Sequence, residues 1–339
     1  MKRMGWMAIG SMLFLLLACG PVKHTVVFYN VENLFDTIDD PGKNDSEFTP
    51  QHEKNWNSTR YIKKLEDLSR VLSSIDTVSL PVLVGLAEIE NNLVLNDLIR
   101  TPLLEKANYR FVWEEGPDER GIDCALLYRP DYFRIDTIAF LPVTIDSFPD
   151  FNTRDILYTA GWLENDYLHI FVCHWPSRRS GEETSEGERI GTANVLRLAV
   201  DRLIAADPEA RVLIMGDMND EPANRSLRES LGALPNQTLP QSKTALVNLM
   251  YDEFELGKGS YSFRGDWNMI DNLVVSVSLI TNEKGFRTRL DDGHIFHQPF
   301  MEYKNDRGEL SPNRTYGRSY YGGISDHFPV YLQLTKGRE

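Results

Sequence analysis

At 339 residues with 42% hydrophobic content, the chain can bury a large core, as one large α/β domain or two ordinary ones. Its 50 acidic against 36 basic residues leave a net charge of −14, which excludes a broad basic face that coats nucleic acid by charge alone. Cysteine occurs only three times, too sparsely for a disulfide framework.

The chain opens with Met1-Lys2-Arg3, an apolar run over Met12 to Ala18, and Cys19-Gly20. A positive start followed by an apolar run too short to span a bilayer reads as an export signal. Leu16-Leu17-Ala18-Cys19 resembles the lipobox of bacterial lipoproteins. Residues 1–18 are therefore expected to be a lipoprotein signal peptide, Cys19 to carry lipid, and the protein to be exported and anchored to the bacterial cell envelope. Removal of that segment takes Lys2 and Arg3 and no acid, so the charge moves from −14 to −16.

Val26 to Tyr29 reads as a strand opening into the polar stretch Asn30 to Asp36, and Asp39 to Asn55 as surface loop rich in Asp, Gly, Asn and Pro. Behind an N-cap at Asn57 or Ser58, Ile62, Leu65, Leu68, Leu72 and Ile75 recur at helical spacing up to Asp76. Pro81 to Ala87 is a second buried strand and delivers Glu88. Further β signals lie at Phe111 to Trp113, Ala125 to Tyr128, Phe133 to Leu141 and Ile156 to Trp162. Asn165-Asp166 then turns a hairpin whose second arm, Leu168 to Cys173, runs into His174.

Ser180 to Glu188 reads as an acidic loop before a helix with Ala193, Leu196, Val200 and Leu203 on one face. Val212 to Met215 is too short and too β-branched for a helix, and it stops at Gly216 to deliver Asp217 and Asn219. Asp271 heads a strand over Leu273 to Val277, Asn282 to Gly323 is a long irregular segment that points to a functional loop or insertion, and Ser325-Asp326-His327 introduces a last strand. No linker divides residues 24–337, so a single domain over residues 19–337 is expected.

Collected at strand ends are Asn30, Glu88, His174, Asp217, Asn219, Asp271, Asp326 and His327. Oxygen donors and two imidazoles without clustered thiols suit a hard ion, Mg²⁺ or Mn²⁺ with Ca²⁺ also open, rather than Zn²⁺. His24, His52, His169, His294 and His297 are read as surface or core residues, and Trp175, Trp267 and Tyr261 as packing. Arg178, Arg179 and Arg189 could clamp a phosphate near His174, or belong to a solvated loop with its own glutamates. Cys124 and Cys173 lie in strand-like runs and read as buried thiols, with a single bridge between them open.

Six blocks carry a resemblance: Phe28 to Leu34, Gly85 to Glu90, Cys173 to Pro176, Gly216 to Asn219, Met269 to Leu273 and Ser325 to Val330. In kind and order they resemble the endonuclease/exonuclease/phosphatase superfamily, which includes deoxyribonuclease I, exonuclease III, neutral sphingomyelinases and inositol-polyphosphate 5-phosphatases. The resemblance implies an α+β fold, a four-layer sandwich of two mixed sheets packed face to face under flanking helices. It implies metal ligation by Glu88, with Asn30 beside it and Asp326 supporting the ion or the final histidine. It further implies that Asp217 and Asn219 orient and activate water, and that His327, held by Asp271 or Asp326, hydrogen-bonds the phosphoryl oxygens. His174 occupies a position that is His in deoxyribonuclease-like and sphingomyelinase-like branches and Tyr in others; as a second catalytic imidazole it would donate to the phosphoryl or the leaving oxygen, with Asp123 as the candidate for its acidic partner.

The activity expected from this set is Mg²⁺-dependent hydrolysis of a phosphodiester by in-line water attack, with nucleic acid as the leading substrate and a monomer as the working form. The rivals are a phospholipase or sphingomyelinase and a sugar-phosphate phosphatase with the same site. From another class, a surface-binding lipoprotein could keep the fold and lose the chemistry, although none of the expected catalytic positions is replaced.

Overall fold

A computed structural model describes residues 21–336. Residues 1–18, expected to be a signal peptide, and Cys19 lie outside the described residues. One sheet has the strand order His294–Ile295, Val330–Lys336, Val22–Leu34, Leu83–Ile89, Asp123–Tyr128 and Arg110–Val112. The other runs Phe133–Leu141, Ile156–Leu163, Asp166–His174, Val212–Asp217, Asp271–Ser276, Leu246–Asn248 and Ala233–Pro235. Both sheets are mixed: Val22–Leu34 is parallel to Leu83–Ile89, and Asp166–His174 to Val212–Asp217, while most other pairs are antiparallel.

Successive side chains of a strand point to opposite faces, and here both faces are covered, which explains runs that are apolar throughout rather than alternating. Val26 and Phe28 face inward and share a core with Leu83, Val172, Leu213, Met215 and Leu273. Their neighbours Val27 and Tyr29 face outward and pack with Val84 and Leu86 against Leu65, Leu68 and Leu72 of the helix Ser58–Ile75. On the far side, Phe171, Cys173 and Ile214 meet Ala193, Leu196 and Val200 of the helix Glu182–Ala206. The order is helix, sheet, sheet, helix: the four-layer sandwich expected. Gly85 lies on an inner face, where a Cβ would come within 2.9 Å of Met215 Sδ, so a larger residue there would force the Met215 side chain to move.

The first long helix starts where expected, because Asn57 Oδ1 accepts from Thr59 N at 3.1 Å and Arg60 N at 3.2 Å. Ile62 is 53% exposed and not on its buried face, whereas Lys64 is fully buried. The acidic stretch expected as a loop before the second long helix is its first turns instead. The helix begins at Glu182, and acids near an N-terminus complement the orphan amides and the dipole. The supposed surface loop Asp39 to Asn55 is only partly so, since Asp45 and Phe48 within it, and Trp56 just after, are buried. Cys124 and Cys173 are both free and buried. Among the described residues no helix is long and apolar enough to cross a membrane.

Candidate active site

The sheet register builds one half of the site. His174 sits opposite Asp217 in the parallel pair, and Asp217 opposite Asp271 in the antiparallel pair, so the three stand in a row on adjacent strands. All three continue the inner-face parity of their strands, the parity of Val172, Met215 and Leu273. Beyond the last apolar layer, that face opens as a cleft of about 920 Å³ between the sheet ends. Gly216 is required at this level, because a Cβ there would collide with the Cys173 carbonyl.

Glu88 obeys a different rule. With Leu83 and Ala87 facing in and Leu86 facing out, strict alternation would send position 88 toward the helices. The strand pairing shifts register between Leu86 and Ile89, and Glu88 takes a left-handed φ of 66°, which re-aims its carboxylate into the cleft. Glu88 Oε2 accepts from Asn33 N at 2.8 Å, and Oε1 faces His174 Nε2 at 3.9 Å.

Asp217 lies at the centre. Its Oδ2 stands 3.7 Å from His174 Nε2 and 3.8 Å from His327 Nε2, and accepts from Asn30 Nδ2 at 3.0 Å. Its Oδ1 accepts from Asn219 N at 2.9 Å. Asn219, itself at φ 50°, donates its amide to the Trp175 carbonyl at 3.0 Å, so it fixes the turn that carries Asp217. Asn30 Oδ1 accepts from Glu32 N at 3.0 Å, and Ser325 Oγ donates to the Asn30 carbonyl at 2.7 Å, tying the first strand to the loop of Asp326 and His327. Burial, with Asp271 adding to it, pushes the Asp217 carboxyl up to about 7, against the pull of His327 and the two hydrogen bonds.

The two imidazoles are held differently. His327 Nδ1 meets Asp271 Oδ2 at 2.7 Å, and Ser260 Oγ donates to that same oxygen at 2.5 Å. The partner of His327 is thus Asp271; Asp326 Oδ1 stands 3.8 Å from the opposite nitrogen. Burial works against a charge on His327, but Asp271, Asp217 and Asp326 outweigh it and hold the ring well above its usual range. The ring lies 4.9 Å from that of Tyr261, which lines the cleft as well as packing.

His174 Nδ1 is buried and without a hydrogen-bond partner among the described residues. Asp123, suggested as its acidic partner, is occupied elsewhere: its Oδ2 accepts from Gly116 N at 3.0 Å. Arg154, which no sequence pattern singles out, holds the segment instead by donating to the His174 carbonyl at 3.2 Å and the Trp175 carbonyl at 2.6 Å, with Asp118 at 2.8 Å as its counter-charge. Burial, then Arg154 and Arg120, drive His174 well below its usual range, so at neutral pH it stands neutral.

Of the three arginines proposed as a clamp, Arg179 and Arg178 line the cleft, but Arg178 is committed to the Asn219 carbonyl at 2.5 Å and Asp220 at 3.1 Å. Arg189 is fully buried against Asp220 at 2.8 Å and reaches no substrate. From the irregular segment, Arg314 arrives at the rim, 2.9 Å from Asp326 Oδ2 and 3.3 Å from Glu32 Oε1. Below it Lys64 Nζ donates to the Glu32 carbonyl at 3.1 Å and Thr315 Oγ1 at 2.6 Å and also meets the Ile324 carbonyl, pinning that segment to the sandwich.

The acidic donors fit a hard divalent cation. Among the described residues Glu88 Oε1 and Asp326 Oδ1 receive no hydrogen bond and open on the cleft, and no thiol lines it. A two-sheet sandwich whose strand ends bring together two carboxylates and a third held between two opposed imidazoles fits a phosphoric ester hydrolase. The chain belongs to the Endonuclease/Exonuclease/phosphatase family, whose profile matches residues 25–336. Solved structures similar to it include D. rerio TDP2 complexed with single strand DNA product, at 16% identity and a TM-score of 0.55 over 92% of this chain and 98% of that one. A Bacteroides thetaiotaomicron mannosyl-6-phosphatase is similar at 17% identity and 0.56 over 92% and 99%, and the human Nocturnin catalytic domain at 14% and 0.55 over 92% and 94%. No curated protein matches the sequence.

Proposed function

We propose that the chain is a metal-dependent phosphodiesterase acting on nucleic acid. The observation that carries this reading is a chain of three sequence-distant pairs, each closer than 4 Å: Glu88 with His174 at 3.9 Å, His174 with Asp217 at 3.7 Å, and Asp217 with His327 at 3.8 Å. Glu88 and Asp326, which both line the cleft, would hold the cation, with Asn30 as a further oxygen donor. A Mg²⁺ or Mn²⁺ bound there would take up charge developing on the phosphate oxygens. Asp217, fixed by Asn30 and Asn219, accepts the proton of the attacking water. His327, charged and braced by Asp271, donates from Nε2 to a phosphoryl oxygen that gains charge in the transition state. His174, neutral, positions the water or the phosphate rather than storing a proton. That differs from the leaving-group acid expected from sequence, because burial, and then the arginines behind it, disfavour its charged form.

Phe263, 54% exposed, and Tyr261 lie at the mouth of the cleft beside Arg314, which supports a stacked base and a flanking phosphate rather than a duplex face. A sugar-phosphate phosphatase is the second reading, favoured by Glu32, Glu47 and Glu182 in the same lining, which disfavour a long polyanion. Export and a lipid on Cys19 belong to the same proposal and are supported by the Leu16-Leu17-Ala18-Cys19 sequence; mass spectrometry of the native N-terminus should find acylated Cys19. The discriminating experiment is a turnover screen with Mg²⁺ against single-stranded DNA, plasmid DNA, RNA, sphingomyelin, sugar phosphates and bis-p-nitrophenyl phosphate. Hydrolysis of the diesters and single strands is expected; activity confined to sugar phosphates would replace the nuclease.

A further inference from the structure

A second group of acids lies behind the cleft wall and takes no part in the chemistry above. Asp40, Asp45 and Glu90 each present an oxygen within 4.8 Å of the other two. Asp45 is 1% exposed and Glu90 3%, and one oxygen of each, Asp45 Oδ1 and Glu90 Oε1, is buried with no hydrogen-bond partner among the described residues. Their other oxygens are spent on the backbone: Glu90 Oε2 accepts from Asp36 N at 2.6 Å and Asp45 Oδ2 from Asp40 N at 2.9 Å. Asp36, also buried, adds a fourth carboxylate, holding Asn91 Nδ2 at 3.2 Å.

Among the described residues no cation pairs directly with any of these four carboxylates, although Lys43 acts on Asp40 from a distance. The nearby Lys43 reaches Glu115 and the carbonyls of Gly116 and Asp118, and Lys54 reaches Glu47. Buried carboxylates that share a space without a counter-charge are costly unless a cation or protons offset them.

We infer that Asp40, Asp45 and Glu90 form a second cation site, selective for Ca²⁺, that clamps the 36–48 segment to the strand end carrying Glu88. An all-oxygen set of several carboxylates suits Ca²⁺, which takes six to eight oxygen ligands, while Mg²⁺ keeps more of its water and asks for a stricter octahedron. The clamp has a purpose in the fold, because Asn44 and Phe48 of this segment, and Asn33 and Phe35 just before it, line the cleft. The occupant is structural, and the site is independent of the reaction assigned above.

The test uses the full chain stripped of divalent ions. Equilibrium dialysis of Glu88→Gln, which weakens the catalytic site, should still find one bound Ca²⁺ per chain, and Ca²⁺ at a hundred times its dissociation constant should raise its Tm by about 5 °C. Adding Asp45→Asn or Glu90→Gln should abolish that ion and that shift. A Glu88→Gln protein that binds no Ca²⁺ overturns the inference whether or not the second variants fold, and so does an undiminished ion in a folded Glu88→Gln, Asp45→Asn double variant. Phosphodiester hydrolysis by wild type with Mg²⁺ reads the catalytic assignment separately.

Discussion

His327 and His174 face the same Asp217 oxygen from two sides, at 3.8 Å and 3.7 Å, yet their surroundings give them opposite electrical states. Behind His327 stands a carboxylate that a serine hydroxyl fixes in place; behind His174 stand guanidiniums and an unsatisfied nitrogen. A histidine is thus not a role by itself. The group on its far nitrogen and the charges within a few ångströms decide whether it donates as a cation or serves as a neutral ligand of water.

The largest expected effect removes what the two histidines share. Glu88→Gln and Asp217→Asn should each lower kcat/KM on bis-p-nitrophenyl phosphate by about 10³-fold, and the double variant should be little worse, since residues acting as a unit are non-additive. Losses that multiplied in steady-state assays would separate the two carboxylates.

Next comes the His327 side. His327→Gln should cost about 10²-fold to 10³-fold, and Asp271→Asn should approach that loss although Asp271 touches no substrate, because the imidazole would lose both its charge and its orientation. An Asp271→Asn enzyme of full activity would end the idea of a braced cation.

On the other side, His174→Gln should cost less, about 10-fold to 10²-fold, and equally on p-nitrophenyl and alkyl esters. A much heavier loss on the alkyl ester would make His174 the leaving-group acid and reverse the assignment.

The smallest effect on turnover belongs to Asp118→Asn, which strips Arg154 of its buried partner and should destabilise the fold by about 3 kcal/mol in urea titration. Although burial opposes it, Arg154 and Arg120 hold the Asp118 carboxyl below its usual range. The unfolded chain therefore binds more protons between the two values, and stability rises with pH there. The contribution is complete above the unfolded value of about 3.9 and is lost as pH falls through the folded one. Asp118→Asn should flatten that acid limb; an unchanged limb would deny the pair its role.

Much of this was legible in the chain. Strands covered on both faces must be apolar throughout, and a polar residue that ends such a run has only the sheet edge to occupy, so Asn30, His174 and Asp217 announced themselves, and Asp271 at the head of its run did the same. Asn57 announced the helix by the same logic, since four orphan amides need an acceptor. The partners were not legible. Ser260, Arg154, Glu32 and Lys64 are ordinary polar residues in sequence, and only the fold brings Ser260 to Asp271 or Arg154 to the carbonyls behind His174. The acids of the 36–48 segment looked like solvated loop because local composition does not register what packs over it.

What the sequence by itself determined is the set of elements, their buried faces and the residue types at the strand ends, all of which depend on neighbours two to four positions away. Only the tertiary structure decided which carboxylate braces which imidazole, that Glu88 turns inward through a bulge, and which histidine carries charge. Those outcomes depend on distances across two sheets, where a shift of one residue in register would send a side chain to the opposite face.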